Sequence, residues 1–416
     1  MNIKTPSLSC YVSDKETIDT AYASHIDHLI IEDSKCSVRS FFDDFRTNNF
    51  DKIQVLADYA RKTYTSSSSQ TNHLNHELSL SFNIDLLAHE KDFDTIRKCV
   101  LKLKETKINI IRIQDPGLKT IIHDVYPEAT IHFNQEIGNQ NQQSVFEYTK
   151  HFDRQTLSLE LPSSEIESII QFSKTNGSKF EIQVQGPILI QYSYRQFLGN
   201  HDFYKDLDSK IISVAAMDHE YPGRKFHFYD NPHGHFMYLY FDRCLAQHIP
   251  ALISLNLDTW LIDHRNRSLD YLKASGNLYF NALNDLCTIN EDFDVLKKTC
   301  DLPLRGGFFR ANKTDQDRKW NAGFKDDVSF LGTIVDSEKP NNCLFESFRE
   351  FSLPCAIDII TPEDKHIDMT ITELTTLKGD AHSSCQVNTL YLLPWKKGLV
   401  KKSKVFRKQI SSEINS

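Results

Sequence analysis

Phe180–Leu198 reads FEIQVQGPILIQYSYRQFL, and its reading decides the fold. Phe180 to Gln185 has the apolar density of a buried strand, and Gly186-Pro187 is expected to end it. A second apolar run then closes on Tyr192, Ser193, Tyr194 and Arg195. A strand that stops and releases polar groups is how α/β proteins build a site at strand carboxyl ends. Most such ends are plain turns, so the stretch has meaning only through its neighbours.

On the N-terminal side, strand-like runs at 9–13, 28–33, 78–87, 108–114, 129–135 and 155–161 alternate with helical spacing. Asp14 is an expected N-cap of the first helix. On the C-terminal side, 242–256 has helical spacing, 258–263 is a strand and 268–286 a helix. About eight strand units, most followed by a helix, predict a parallel sheet that closes into a (β/α) barrel of the TIM type. An open doubly wound sheet is the competing fold, but no G-x-G-x-x-G follows the early strands. Past about residue 300 short β-like runs are broken by Pro, Gly and Asp-Lys pairs. The expectation is two domains, a (β/α) barrel over 1–300 and a small antiparallel β-barrel over 301–416.

An apolar content of 40% and a charged content of 25% in 416 residues are those of an ordinary globular protein. No run is long and apolar enough for a bilayer, and the first residues lack the layout of a secretion signal. Nine scattered cysteines without a C-x-x-C pair point to reduced thiols, hence a cytoplasmic protein. The net charge of -8 argues against a general nucleic-acid coat. A local basic run, Lys396, Lys397, Lys401, Lys402, Lys404, Arg407 and Lys408, reads most simply as a solvated tail.

Arginines make the best case for a site. Arg265 and Arg267 follow the strand at 258–263, and Arg195 follows the opening run. In a barrel these ends share one face, where guanidinium groups would bind a carboxylate or phosphate, with Tyr192 beside them and Asp263 orienting one arginine. The competing reading is an internal salt bridge among Asp263, Arg265 and Arg195. Ser193 and Asp263 are the catalytic candidates, yet no G-x-S-x-G or H-E-x-x-H occurs and no base for Ser193 is evident. His227, His233 and His235 near Asp230 could suggest a metal; a turn with incidental histidines is the simpler reading.

Taken together, these segments resemble the collagenase-like peptidase family U32. The family signature, H-G, a cysteine, A-Y-S-G-R and a second cysteine, is met by Gly186, Tyr192, Ser193 and Arg195. In a second block, S-K-D-L-C-L-I followed by K-I-E-G-R-x-R-S, Cys244, Asp263, Arg265, Arg267 and Ser268 fall on family positions, with Asp for Glu. QDPG at 114–117, IHFNQE at 131–136 and LELPSSEI at 159–166 also match. The resemblance implies a barrel with its site at the strand ends. Its longer members imply prephenate-dependent hydroxylation of the tRNA wobble uridine, with a four-iron cluster on four cysteines.

The sequence departs from that pattern where the cluster would sit. Leu189 and Gln196 occupy the two signature cysteine positions, Gln185 replaces a histidine, and only Cys244 and Cys36 remain at family cysteine positions. No cofactor is therefore expected. The reading that results is a divergent, non-proteolytic relative of tRNA-hydroxylation proteins, an RNA-modifying enzyme whose partner is tRNA or a small anionic metabolite. A true collagenase-like endopeptidase and a catalytically inactive binding protein are the alternatives.

Overall fold

The computed structural model describes residues 5–39, 50–66, 76–173, 177–198, 212–217, 225–284, 289–310, 329–338, 342–362, 365–377, 379–387 and 389–408. The chain divides into two compact units, Met1–Ala215 with Phe226–Thr314, and Ala216–Lys225 with Asp315–Ser416.

The first unit contains β1 (Ser7–Val12), β2 (His28–Glu32), β3 (Ser79–Ile84), β4 (Ile110–Ile113), β5 (Thr130–Asn134), β6 (Arg154–Thr156), β7 (Lys179–Ser193), β8 (Ile212–Met217, which runs across the division), β9 (Lys225–Asn231), β10 (Gly234–Cys244) and β11 (Thr259–Ile262). Strands β1 to β7 pair in sequence order, all parallel, and β11 pairs with both β7 and β1. Eight parallel strands thus close a TIM-type barrel, as the alternating pattern predicts.

Local chemistry sets the helices. Asp14 caps α1 (Lys15–Ala23), its Oδ1 accepting from Thr17 N at 2.8 Å, as expected. Helices α2 (Phe50–Ser66), α3 (Phe93–Thr106), α4 (Leu118–Val125), α5 (Gln142–Thr149) and α6 (Ser163–Ser173) follow β2 to β6. Lys107 ends α3 in a left-handed conformation. The outward strand residues Leu29 and Ile31 are fully buried, and each such side chain contributes on the order of 1.5–3 kcal/mol.

Two local expectations fail. The strand beginning at Phe180 does not end at Gly186-Pro187 but continues to Ser193. Gly186, at φ +122, lets the backbone pass so close to β11 that a Cβ would lie 2.0 Å from Asp263 O. The first half of β7 is a barrel strand; the second half pairs antiparallel with β10. The stretch 242–256 is not one helix either. Asp242, Arg243 and Cys244 are drawn into the β10 ladder opposite Pro187, Gly186 and Gln185. The helix α7 (Ile249–Leu255) starts only where Pro250 can occupy its first turn. Helices α8 (Leu269–Asn284) and α9 (Ile289–Thr299) and the short β12 (Leu304–Arg305), paired with β10, complete the unit.

The second unit is antiparallel: β13 (Phe330–Glu338), β14 (Asn342–Ser347), β15 (Phe351–Ser352), β16 (Cys355–Ile360), β17 (His366–Ile371), β18 (Leu374–Thr376), β19 (Ala381–His382), β20 (Ser384–Cys385), β21 (Leu390–Pro394) and β22 (Lys404–Arg407). Eight of them form a sheet in the order β17-β16-β22-β13-β14-β21-β18-β19, curled into a half-barrel. Alternate residues point inward, so Ile357, Ile359, Phe345, Leu393 and Val405 make its core. The basic run is not a tail up to Lys408: its seven side chains are exposed, six on the β21–β22 turn and on β22 and Lys408 just past it.

Candidate functional site

The barrel interior is polar. Arg112 on β4 reaches across to Glu181 on β7 with two hydrogen bonds, 2.9 and 2.6 Å, and neither side chain is accessible to solvent. Thr156 Oγ1 donates to the same carboxylate. Burial pushes the Glu181 carboxyl up, but Arg112 outweighs it and holds the group at about 2. His28 Nε2 meets Ser81 Oγ at 2.9 Å; burial, then Arg154 and Arg112, pull this imidazole down to about 3. This layer is a floor of fixed charges beneath the strand ends.

Above it, the carboxyl ends of the strands bring together Glu32, Asp85, Glu136 and Asp263 with Arg39 and Arg265, all buried. Arg265 donates to both Asp263 oxygens (2.9 and 2.6 Å) and to Glu32 Oε1 (2.9 Å), and lies 3.5 Å from the Tyr11 ring centre. Arg39 is hydrogen-bonded to Glu136 and lies 3.7 Å from Asp263. Burial raises the Asp263 carboxyl, and Arg265 and Arg39 bring it down to about 2. For Glu32 burial prevails and the shift is upward.

Around this cluster several buried polar atoms have no hydrogen-bond partner among the described residues: Tyr11 OH, Asn83 Oδ1, Asn134 Oδ1 and Glu136 Oε2. Buried groups of this kind are normally satisfied, so four of them at one end of the barrel set that mouth apart from the packed core. Tyr238, from β10, lies over the same arginines. Burial raises both tyrosines, with Arg265 and Arg39 opposing it, so each keeps its proton as a donor.

The mouth has a roof. The second half of β7 with β10 and β9 packs Leu189, Tyr229, Phe236 and Tyr238 against Val38, and Leu86 and Ile137 join from loops after β3 and β5. Asn231 Nδ2 donates to Val38 O (2.9 Å), and His233 Nε2 donates to Ser34 O (2.7 Å).

Of the residues singled out by sequence, Asp263 and Arg265 meet in the mouth. Arg267 forms a separate two-bond pair with Asp242, at 2.8 and 2.6 Å. Arg195 is exposed on the turn after β7, its N–H donating to Ser193 Oγ. Tyr192 OH donates to His233 O within the roof. His235, on β10 opposite Ser193, is buried and holds Asp230 through Nδ1 at 2.5 Å; His227 lies on β9, and His233 in the turn that joins the two strands. Sequence reading missed Glu32, Arg39, Asp85, Glu136, Tyr11 and Tyr238. The acids could have been found as polar residues at or just past a strand end; nothing in the pattern points to Arg39.

The thiol set does not fit a four-cysteine cluster. Leu189 is part of the apolar roof, and Gln196 Nε2 donates to Asn231 O. Cys244 ends a strand, with Tyr279 OH 3.9 Å from its sulfur; burial pushes its thiol up to about 11. Cys36 is buried, and burial together with the neighbouring Cys36 thiol pushes the Cys99 thiol up. Among the described residues no three His, Cys, Asp or Glu side chains are grouped to hold a metal ion. No helix among them is long and apolar enough to cross a membrane.

Comparison with known proteins adds the following. A family model described as Peptidase family U32 matches residues 13–319. The tRNA hydroxylation protein P of Escherichia coli (strain K12) is 22% identical over 391 residues, covering 78% of this chain and 85% of that protein. The tRNA hydroxylation protein P1 of Bacillus subtilis (strain 168) is 20% identical over 302 residues, 71% of this chain and 67% of that protein. Among solved structures, thiamine phosphate pyrophosphorylase from Pyrococcus furiosus aligns over 71% of this chain and 98% of its own at 7% identity, with a TM-score of 0.35.

Proposed function

The chain belongs to peptidase family U32, and on that premise we propose that it acts in tRNA hydroxylation, receiving a uridine base in the barrel mouth. The observation that carries this reading is the set of buried polar groups left open at the strand ends. It mixes a hydroxyl donor, Tyr11, with carbonyl and carboxylate acceptors, Asn83, Asn134 and Glu136. A uracil edge uses both kinds, its N–H donating to one of these acceptors and a carbonyl oxygen accepting from Tyr11 OH. Names of relatives at 20–22% identity support the substrate class.

Four carboxylates stand against two arginines in the mouth, so Arg265 serves there as part of a charge framework, and Arg267 is matched by Asp242. Binding of a phosphate or another anion falls to Arg195, the exposed one of the three. The division near residue 300 is proposed as functional too, with the barrel housing the base and the β module touching RNA. No step is assigned to an iron cluster.

The test is a deletion strain complemented with wild type or with Tyr11→Phe/Tyr238→Phe, reading 5-hydroxyuridine in tRNA by mass spectrometry. Wild type restores the nucleoside and the folded double variant gives less than about a tenth of it. A deletion strain that keeps all its 5-hydroxyuridine refutes the proposal.

One observation favours a second reading, hydrolysis at Ser193: His235, oriented by Asp230, lies directly opposite it in the ladder. Purified chain that leaves casein and gelatin intact, with and without added metal, removes that reading.

A further inference from the structure

Arg243 is a fully buried arginine with no acceptor to bind among the described residues. Its side chain is 1% exposed, and Nε, Nη1 and Nη2 all lack a hydrogen-bond partner. The Phe309 ring faces it, the ring centre 5.9 Å from the guanidinium carbon. A guanidinium carries five N–H donors in a planar fork, and taking it out of water without an acceptor is among the costliest placements a protein can make. Burial draws its pKa down to about 10, which still leaves it charged at neutral pH.

The surroundings are built for negative charge. Arg305 on β12 is aligned with Arg243 in the parallel pairing, so two guanidinium groups leave neighbouring strands on the same side. Asp242, the adjacent carboxylate, leaves from the other face of β10 and is already held by Arg267. Immediately after Arg305 the backbone turns through Gly306 (φ -67, ψ -10) and Gly307 (φ +59). A right-handed residue followed by a left-handed one aims successive N–H groups into one concavity, a nest that binds anions. The glycines fit closely there: a Cβ on Gly307 would lie 2.8 Å from Ile188, and one on Gly306 3.1 Å from His248 Nε2.

We propose that Arg243, Arg305 and the Gly306–Gly307 turn form an oxyanion site, taking a carboxylate or phosphate group end-on in the fork of Arg243. It is built without Arg39, Arg265 or the other groups of the mouth, so it is a second binding site and does not depend on the tRNA reading.

The test is equilibrium dialysis of the purified full chain against inorganic phosphate and, separately, succinate, at ionic strength fixed with sodium chloride. Wild type is expected to bind one equivalent of at least one of them saturably; phosphate alone or succinate alone tells which group the site takes. Arg243→Met is expected to weaken binding more than tenfold while melting, without anion, no lower than wild type, because it removes an unmatched buried charge. Arg243→Lys keeps the charge but loses the fork and is expected to bind about tenfold more weakly; it decides the matter if the methionine variant does not fold. Wild type that binds neither anion, or variants that bind as wild type does, overturn the proposal.

Discussion

The Arg112–Glu181 ion pair makes the barrel sensitive to acid. Glu181 titrates near 4.5 when unconstrained and at about 2 beside Arg112. Its contribution to stability is therefore complete above about pH 4.5 and is lost as the pH falls toward 2. His28 adds to the same slope from higher pH, since its neutral form is kept down to about pH 3 while the unfolded imidazole protonates near 6.5. Urea unfolding across this range should show Glu181→Gln destabilised by about 3–5 kcal/mol at pH 7, because Arg112 is left buried and alone. That difference should shrink below pH 4. Tyr11 in the mouth should behave in the opposite way. Tyr11→Phe removes a hydroxyl with no bond inside the fold among the described residues, so it should change stability by less than about 1 kcal/mol while impairing function. If the phenylalanine variant unfolds at markedly lower urea, the hydroxyl has a structural partner and does not mark a ligand.

Among the elements, β7 shows both the reach and the limit of sequence reading. Its apolar run was legible as the seventh of eight barrel strands, and the alternation of strand and helix around it implied the barrel. Gly186-Pro187 looked like a terminus because that pair usually ends strands. Here glycine is needed for a close crossing beside Asp263, which only the tertiary structure reveals. Asp242 to Cys244 had helical spacing and became strand because the extended half of β7 offered them a ladder. The site suffered similarly: Asp263 and Arg265 stand next to a readable strand end, whereas Arg39 comes from a loop and Tyr238 from the hairpin. Gly186→Ala should be the most damaging small substitution in the barrel, costing more than about 3 kcal/mol through a clash with backbone and an unfavourable φ. Thermal melting followed by circular dichroism would show it; an unchanged midpoint would mean that the crossing has room for a methyl group.

For the molecule as a whole, the net charge of -8 opposes a polyanionic partner. Any tRNA binding must therefore be local, and the exposed lysines on the β21–β22 turn, Lys396, Lys397 and Lys401, are a concentrated basic resource on the half-barrel. Changing all three to glutamine should weaken tRNA binding at least tenfold and flatten its logarithmic salt dependence by about 0.7–0.9 for each phosphate no longer neutralised. An unaltered salt slope in filter binding would place the RNA elsewhere. The roof over the mouth has a history written into its geometry. Because β7 is both barrel stave and roof strand, the facing of Tyr238 depends on the register of β10, which shifts on either side of it, between Met237 and Tyr238 and between Tyr238 and Asp242; losing one residue from the regular stretch before it would turn Tyr238 from the mouth to the outer surface. Losing two would restore the inward face one step along. Descendants of this chain can thus lengthen or shorten the regular part of the roof in pairs of residues, with odd changes taken up at its bulges.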